Sequence, residues 1–280
     1  MYDLLFVRRR RRRKIAAFIA LFSSIGVTSL VIVSFLGRTT GTFTVSLNNS
    51  TVRLALSEKQ DFKDYSSYLR INEMAAYTEY SYDFLKDRVD ILDNEETPTN
   101  IGEYTYFNPK TQQEEKGLEF LKYTFYVKNI GSKMARYTMT VNIDDRSKPT
   151  DGSNRGLDDT LRVMVFENKP GEDKHDYLVY ARESAEVNYD RDGNPTRREF
   201  ISAYDKRFNQ ETDEYPLAEK FVNDNTIAKY TVGNFGKNDI KRYTVVVWLE
   251  GNDPQSDNSE DYPEGATIKL GVDIAAYENV

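Results

Sequence analysis

The sequence predicts a mainly β protein, in which an N-terminal transmembrane helix precedes an antiparallel β-sandwich, Ig-like or jelly-roll-like, with one or two short helices. Three observations predict this fold. A block of basic residues stands directly before an uncharged apolar segment. Apolar and polar residues alternate with period two through much of the remaining chain, as they do in strands with one buried face. Turn residues separate these strands and helical stretches are few, which favours two packed antiparallel sheets.

The N-terminal region has the charge pattern of a membrane anchor. Seven cations run from Arg8 to Lys14, and 22 uncharged residues, 15–36, follow them. A helix of that length is roughly 33 Å long at about 1.5 Å per residue, which matches the hydrocarbon core of a bilayer. Because positive charge stays in the cytoplasm, the N-terminus is expected inside the plasma membrane. The predicted parts are a cytoplasmic polybasic tail, a transmembrane helix and an extracellular domain, at residues 1–14, 15–36 and 38–280.

Two other interpretations of this segment stay open. A cleaved signal peptide has an apolar region of about 7–15 residues that ends at a small-x-small site. Here the apolar stretch is longer and Ser34 to Gly37 lacks a clean site, although Thr39 and Gly41 are small enough for cleavage. Twin-arginine export uses one arginine pair, to which a block of six arginines is a poor match. In a retained anchor, the basic run also contacts anionic lipid headgroups, at about 1 kcal/mol per cation.

Charge and composition exclude several classes of function. The chain has 38 Lys and Arg and 45 Asp and Glu; without the seven cations and Asp3 of the tail, residues 38–280 keep 31 cations and 44 acidic residues, net −13. A nucleic-acid partner is not expected, since phosphate binding needs a basic face. The absence of cysteine excludes thiolate metal sites and cysteine nucleophiles. It is also typical of exported domains in Gram-positive bacteria, whereas small secreted domains elsewhere usually contain disulfides.

The strand pattern is clearest in seven segments. Two of them, 161–166 and 243–249, are apolar on both faces and are therefore expected at the centre of a sheet. The other five alternate and are expected to bury one face; they lie at 43–47, 52–56, 121–128, 136–143 and 267–274. The pattern is weaker across residues 38–110, which predicts a looser subdomain there.

Helices and loops are predicted from the remaining segments. Residues 80–92 carry apolar side chains at mixed helical spacing, and residues 216–222 begin with a proline that suits a first helical turn. Polar stretches rich in turn residues predict loops at 93–109, 144–159 and 251–265.

Two segments of the chain echo each other. Asn129-Ile130-Gly131 precedes Arg136-Tyr137-Thr138, and Asn234-Phe235-Gly236 precedes Arg242-Tyr243-Thr244. Hairpins converge on such turns because Asn and Gly tolerate positive φ, and this explanation is favoured over an internal duplication.

A family resemblance rests on three of these segments. Residues 126–131 with 137–141 resemble the Asn-x-Gly strand pair of Ig-like exported domains in Firmicutes, including camelysin-type and biofilm-matrix-fibre proteins. Residues 41–45 after the apolar segment are similar to the export region of those proteins, and 247–254 resembles a motif of single-pass surface proteins. The resemblance implies a membrane-anchored surface protein with an Ig-type β-sandwich. Camelysins have been labelled proteases, but the chain has no His-Glu-x-x-His motif, so that activity is not expected here.

The sequence offers few candidates for catalysis. His175 is the only histidine and lies in a polar stretch, so it is expected to be a solvated turn residue rather than part of a triad or metal site. The chain contains neither a Gly-x-Ser-x-Gly elbow nor a Gly-rich phosphate loop.

Two clusters of oxygen side chains are candidate calcium sites. Asp190, Asp192 and Asn194 alternate around Gly193, as in half of a calcium loop, but an Asp-Gly hairpin turn needs the same residues and is the favoured alternative. The second cluster follows the strand that ends at Leu249, and repulsion between its carboxylates would be relieved by a cation. A solvated acidic loop is the equal alternative for this cluster, whose four candidate ligands are Glu250, Asn252, Asp253 and Asp257.

These observations favour a membrane-anchored bacterial surface protein with a binding or structural role at the cell envelope, and not an enzyme. Its expected partners are the lipid bilayer and an envelope protein or glycan. The alternative is an envelope-associated carbohydrate hydrolase that uses two carboxylates, which would need them about 5–10 Å apart in an aromatic-lined cleft. Calcium is the only cofactor that the sequence suggests.

Overall fold

The computed structural model describes residues 32–33, 44–48, 52–70, 75–76, 82–93, 99–108, 113–147, 157–169, 175–202, 217–250 and 267–278. All of them belong to one unit, residues 31–280. The tail and most of the predicted membrane segment lie outside the described residues.

The described part of the chain is mainly β, as predicted. Its helical elements are short: α1 (Tyr82–Leu85), a 3-10 turn (Lys86–Arg88), α2 (Val89–Leu92) and a second 3-10 turn (Leu157–Asp159). The strands are β1 (Ile32–Val33), β2 (Thr44–Asn48), β3 (Leu54–Ser57), β4 (Tyr68–Arg70), β5 (Ala75–Ala76), β6 (Thr99–Asn108), β7 (Gln113–Asn129), β8 (Ala135–Arg146), β9 (Leu161–Asn168), β10 (Tyr177–Ala181), β11 (Asn188–Tyr189), β12 (Pro195–Thr196), β13 (Glu219–Lys220), β14 (Thr226–Phe235), β15 (Ile240–Leu249) and β16 (Thr267–Glu278).

The first large sheet, sheet 1, is built around β16. On one side β16 pairs with β8 in antiparallel register from Ile268 to Glu278, and β14 lies beyond β8. On its other side β16 pairs in parallel with β2 and, at Thr267 and Ile268, with β1. The prediction of an antiparallel sheet is therefore wrong for these pairs and for β10 with β13. Parallel neighbours need a long crossover connection, and more than two hundred residues separate β2 from β16.

The second large sheet, sheet 2, has the strand order β13-β10-β9-β15-β7-β3, with β6 also paired to β7. In its centre Val245 of β15 pairs with Tyr123 of β7 and with Val165 of β9. Residues 161–166 and 243–249 are buried throughout, so the prediction that they form central strands is confirmed.

One hydrophobic core takes side chains from both large sheets. Tyr137, Met139 and Val141 of β8 belong to the same buried cluster as Phe125 and Tyr243 of sheet 2. The hydroxyl groups of Tyr137 and Tyr243 are 2.8 Å apart, and burial raises the pKa of both phenols. Two sheets around one core are consistent with the predicted β-sandwich.

The opposite face of sheet 2 is covered by the helical segment. Leu85 and Leu92 pack there in a second buried cluster with Met164, Phe166 and Trp248. The predicted helix at 80–92 is confirmed for Tyr82–Leu92, although a 3-10 turn interrupts it.

Three local predictions differ from the structure. The helix predicted at 216–222 is wrong, because β13 pairs with β10 there and Ala218 donates its N–H to the Glu199 carbonyl. The loop predicted at 93–109 contains β6, which pairs with β7. Residues 38–110 do not form a subdomain of their own, since β2 joins sheet 1 and β3 joins sheet 2.

The predicted membrane helix is described at two residues only. Ile32 and Val33 form β1, which pairs with β16 and β5, and this extended conformation differs from the predicted helix. Among the residues that the structure describes, no helix has the length and apolar character needed to cross a bilayer.

Candidate functional site

An open cleft of about 620 Å³ lies where three chain segments meet beside β10. Residues 182–184 follow β10, Arg197 follows β12, and residues 221–224 connect β13 to β14. Backbone hydrogen bonds hold these segments together: the Ser184 N–H donates to the Arg197 carbonyl at 2.8 Å and the Phe221 N–H to the Ala181 carbonyl at 3.1 Å. We call this depression the arginine cleft; its lining residues are Arg182, Glu183, Ser184, Arg197, Phe221, Val222, Asn223 and Asp224.

An ion network braces one wall of the arginine cleft. Arg182 Nη1 donates to Asp158 Oδ2 at 2.8 Å and to Asp159 Oδ1 at 3.0 Å. The buried Asp158 also accepts a hydrogen bond from Arg146 Nη1 at 2.7 Å. Arg146 Nη2 in turn donates to Asn225 Oδ1 at 2.9 Å and to the Asp224 carbonyl. Charge-assisted hydrogen bonds to a buried carboxylate fix side-chain geometry, so Arg182 is held in place at the cleft.

The remaining charged groups of the cleft are more exposed. Arg197 Nη1 donates to the carbonyl oxygens of Ser184 and Ala185. Glu183 forms an ion pair with Lys220, with 3.1 Å between Nζ and Oε1. Exposed ion pairs contribute little to stability, so these groups are available to interact with a ligand.

A second polar cluster is buried at the outer face of sheet 2. Asp93, directly after α2, accepts hydrogen bonds at Oδ2 from Asn168 Nδ2 and, at 2.9 Å, from Arg242 Nη2. The Thr244 hydroxyl donates to Asp93 Oδ1 at 3.2 Å, and His175 Nδ1 lies 3.0 Å from Asp93 Oδ2. We call these five residues the Asp93 cluster. Because an unpartnered buried carboxylate is costly, these bonds fasten the end of α2 to the sheet.

The Asp93 cluster corrects the prediction for His175. The side chain of His175 is only 33% exposed and is engaged with a buried carboxylate, so it is not a solvated turn residue. A carboxylate and an imidazole can act together in general base catalysis. In the described part of the chain, however, no serine or threonine hydroxyl bonds to His175, and Thr244 bonds to the carboxylate instead.

Lys122 of β7 is a further buried cation on this face of sheet 2. Burial lowers its pKa to about 8, while the negative charge of Asp93 opposes this shift and the positive charge of Arg242 adds to it. A buried amine with a lowered pKa is a candidate nucleophile or base, but it is also the ordinary result of placing a lysine within a sheet.

Glu250, the first predicted calcium ligand, has a structural role here. It is fully buried, and its Oε2 accepts hydrogen bonds of 3.0 Å from Trp248 Nε1 and from the backbone N–H of Tyr82 at the start of α1. Trp248 and Tyr82 also stack, with ring centroids 6.3 Å apart. Glu250 therefore ties the helical segment to sheet 2. The other three predicted ligands, Asn252, Asp253 and Asp257, lie outside the described residues.

The Asp190 loop has the geometry of a hairpin turn between β11 and β12. Asp190 Oδ1 accepts hydrogen bonds from the N–H groups of Asp192, at 2.9 Å, and Asn194, at 2.8 Å. Gly193 has a φ of 79°, which suits glycine, and the hydrogen bond from the Asn194 N–H holds the pKa of Asp190 below its usual value. The hairpin interpretation is confirmed. Across the described ranges, no three His, Cys, Asp or Glu residues are grouped so that they could hold a metal ion.

No family model matches the chain, and no curated protein matches its sequence. The resemblance to Firmicutes surface proteins therefore stays a prediction.

The sequence predicted neither the arginine cleft nor the Asp93 cluster. Arg182, Arg197 and Phe221 are separated by 15 and 24 positions and form no local motif. The sequence gives no clear signal for the Asp93 cluster, since Asp93 is one of several acidic residues around the helical segment and its burial is visible only in the structure.

Proposed function

We propose that the chain is a single-pass bacterial surface protein whose outer region, residues 38–280, has a binding role at the cell envelope. In this proposal the uncharged segment 15–36 anchors it in the plasma membrane, with Ile32 and Val33 of its outer end in β1 and the basic tail in the cytoplasm against anionic lipid headgroups. The outer region is an Ig-like or jelly-roll-like β-sandwich exposed outside the cell. The junction between the seven cations and the uncharged segment supports this location.

The arginine cleft is the observation that carries the binding role. Its volume of about 620 Å³ is typical of sites that hold a small molecule or part of a polymer. Backbone hydrogen bonds and the Asp158 network fix its walls, so little ordering would be needed when a ligand binds. The two buried carboxyl groups described at the outer face of sheet 2, Asp93 and Glu250, are engaged in attaching the helical segment.

A sedimentation experiment tests this function. The full-length chain in neutral detergent is mixed with isolated cell envelopes from which lipid has been extracted, and pelleted. We expect the chain to pellet with the envelope material in a saturable manner and to remain in the supernatant with detergent alone. Recovery of the chain in the supernatant at all envelope concentrations would contradict a binding role.

A hydrolase is the second candidate, because Glu183 and Asp224 line the same cleft as Phe221. Two carboxylates beside an aromatic ring are the minimum that glycoside hydrolysis needs. The ion pair of Glu183 with Lys220 argues against it, since a general acid has to carry a proton. Release of reducing ends from envelope glycans by the full-length chain, lost in Glu183→Gln and in Asp224→Asn, would favour the enzyme.

A further inference from the structure

Hydrogen-bond donors make up most of the bonding capacity that the arginine cleft leaves unused. Within the part of the chain that the structure describes, Arg182 uses Nη1 for both of its carboxylate partners, which leaves its Nε and Nη2 groups for a ligand. Arg197 also uses only Nη1, for two carbonyl oxygens, and no carboxylate of the described residues lies within ion-pair distance of it. Two guanidinium groups with spare N–H donors thus line one depression.

Several acceptors of the cleft are already engaged within the fold. Asn223 Oδ1 accepts from the N–H groups of Asn225, at 3.0 Å, and Thr226, at 2.9 Å, and no described residue accepts from its side-chain amide hydrogens. Ser184 Oγ accepts from the Glu186 N–H at 3.3 Å, which leaves the hydroxyl hydrogen. Glu183 is paired with Lys220. A site in which spare donors outnumber spare acceptors suits a ligand group that only accepts, and a guanidinium fork matches the oxygens of a phosphate or carboxylate.

The exception is Asp224, an exposed carboxylate in the same lining. A carboxylate can accept hydrogen bonds but cannot donate them, and the Asp224 carboxylate would repel an oxyanion placed directly against it. A ligand that carries hydroxyl groups beside its anionic group would satisfy both sides of the cleft. The hydroxyl groups would donate to Asp224 while the anionic oxygens accept from Arg182 and Arg197. Phe221 and Val222 add an apolar surface against which the carbon face of a sugar ring can pack.

We propose that the arginine cleft binds an acidic glycan, meaning a sugar or polyol chain that carries phosphate or carboxylate groups. This inference rests on the proposed binding function and names the ligand class of that same site. The outer region as a whole has a net charge of −13, so long-range attraction does not bring a polyanion to it. Affinity for such a polymer therefore depends on the local guanidinium groups, which makes the proposal sensitive to single substitutions.

Fluorescence anisotropy with three labelled oligomers of equal length tests the proposal on the full-length chain in neutral detergent. The oligomers are poly(glycerol phosphate), oligogalacturonate and uncharged dextran. We expect at least one anionic oligomer to bind about tenfold or more tightly than dextran, with an affinity that falls as salt is raised. The tighter of the two anionic oligomers identifies phosphate or carboxylate as the preferred group. Dextran binding as tightly as both anionic oligomers would overturn the proposal.

Two variants separate the cleft from general charge effects. Arg197→Gln removes the guanidinium that has no acidic partner among the described residues and is expected to weaken anionic binding about tenfold, with Arg197→Lys intermediate. Arg136→Gln, on the exposed face of β8, removes the same charge away from the cleft and should change the affinity less than twofold. Both positions are exposed, so thermal midpoints close to that of the unaltered chain are expected and verify folding.

Equal affinities of Arg197→Gln and the unaltered chain would overturn the assignment of the ligand to this cleft. Envelope sedimentation of the same variant distinguishes failure of the cleft assignment from failure of the proposed binding function. If Arg197→Gln still pellets with envelopes as the unaltered chain does, the binding function stands and the cleft assignment fails. If the anionic oligomers bind but envelopes do not pellet the chain, the proposed function fails and the cleft chemistry stands.

Discussion

Replacing Trp248 is expected to destabilise the fold more than replacing any exposed aromatic residue. Trp248 is fully buried in the cluster under the helical segment, stacks on Tyr82 and donates Nε1–H to the buried Glu250. Truncating a buried tryptophan to alanine typically costs about 3–5 kcal/mol. The upper end of that range is expected for Trp248→Ala, because the change also takes a donor from a buried carboxylate.

Trp248→Phe divides this cost into its parts. The phenyl ring keeps most of the apolar packing and loses the Nε1–H, so a loss of about 1–3 kcal/mol is expected from removing a donor to the buried Glu250 side chain. Tyr277→Ala is the matched control, since that side chain is 52% exposed and should cost less than about 1 kcal/mol. The phenylalanine variant also keeps the test informative if Trp248→Ala fails to fold, because the total stability of a domain is only about 5–15 kcal/mol.

Urea unfolding of the full-length chain, followed by far-UV circular dichroism, measures these differences. Trp248 is the only tryptophan, so its fluorescence cannot serve as the signal in the variants. Unfolding free energies are compared between variants whose free energy falls with urea concentration at the same slope, since that slope scales with the surface exposed on unfolding. A loss below about 1 kcal/mol for Trp248→Ala would refute the buried position of this ring and the role of Glu250 in fastening α1.

Four further predictions follow from single features. Protease added to intact cells should digest residues 38–280 and spare an N-terminal tag, whereas a protected C-terminus would contradict the predicted topology. If Asp253 and Asp257 bind calcium, chelation should lower the thermal midpoint of unfolding, and the double variant Asp253→Asn, Asp257→Asn should abolish that response. Equal thermal midpoints with chelator and with millimolar calcium would eliminate the site. Gly193→Ala should cost about 1 kcal/mol in urea unfolding because its φ is 79°, and an unchanged midpoint would contradict that turn. Lys122 has a folded-state pKa of about 8 against an unfolded value of 10.5, so the unfolded state binds more protons between pH 8 and 10.5 and the free energy of unfolding should rise with pH there. Lys122→Met should flatten that rise when urea unfolding is measured at a series of pH values. An unchanged dependence of stability on pH would assign the rise to other groups.

The elements of this fold were predictable where the hydrophobic pattern is local. Residues 161–166 and 243–249 are apolar on both faces, and they lie at the centre of sheet 2 because the core covers one face and the helical segment the other. Pairing partners were not predictable in the same way. The parallel pairing of β2 with β16 joins residues far apart in sequence, and no local pattern carries that information. β6 was predicted as a loop because its segment is rich in turn residues, and pairing with β7 overrides that local preference.

The functional residues were harder to predict for a related reason. Carboxylates were the most visible signal in an acidic chain, yet the three that are buried among the described residues, Asp93, Asp158 and Glu250, accept hydrogen bonds from arginine side chains and N–H groups of their own fold. The number of carboxylates in the chain says little about ligand binding, since each buried carboxylate needs hydrogen-bond donors from its own fold. The groups with spare capacity at the arginine cleft are Arg182 and Arg197, each of which uses only Nη1 in its contacts with the described residues. In a domain with net charge −13, the sites that deserve testing are therefore the few places where donors outnumber acceptors, and the arginine cleft is such a place.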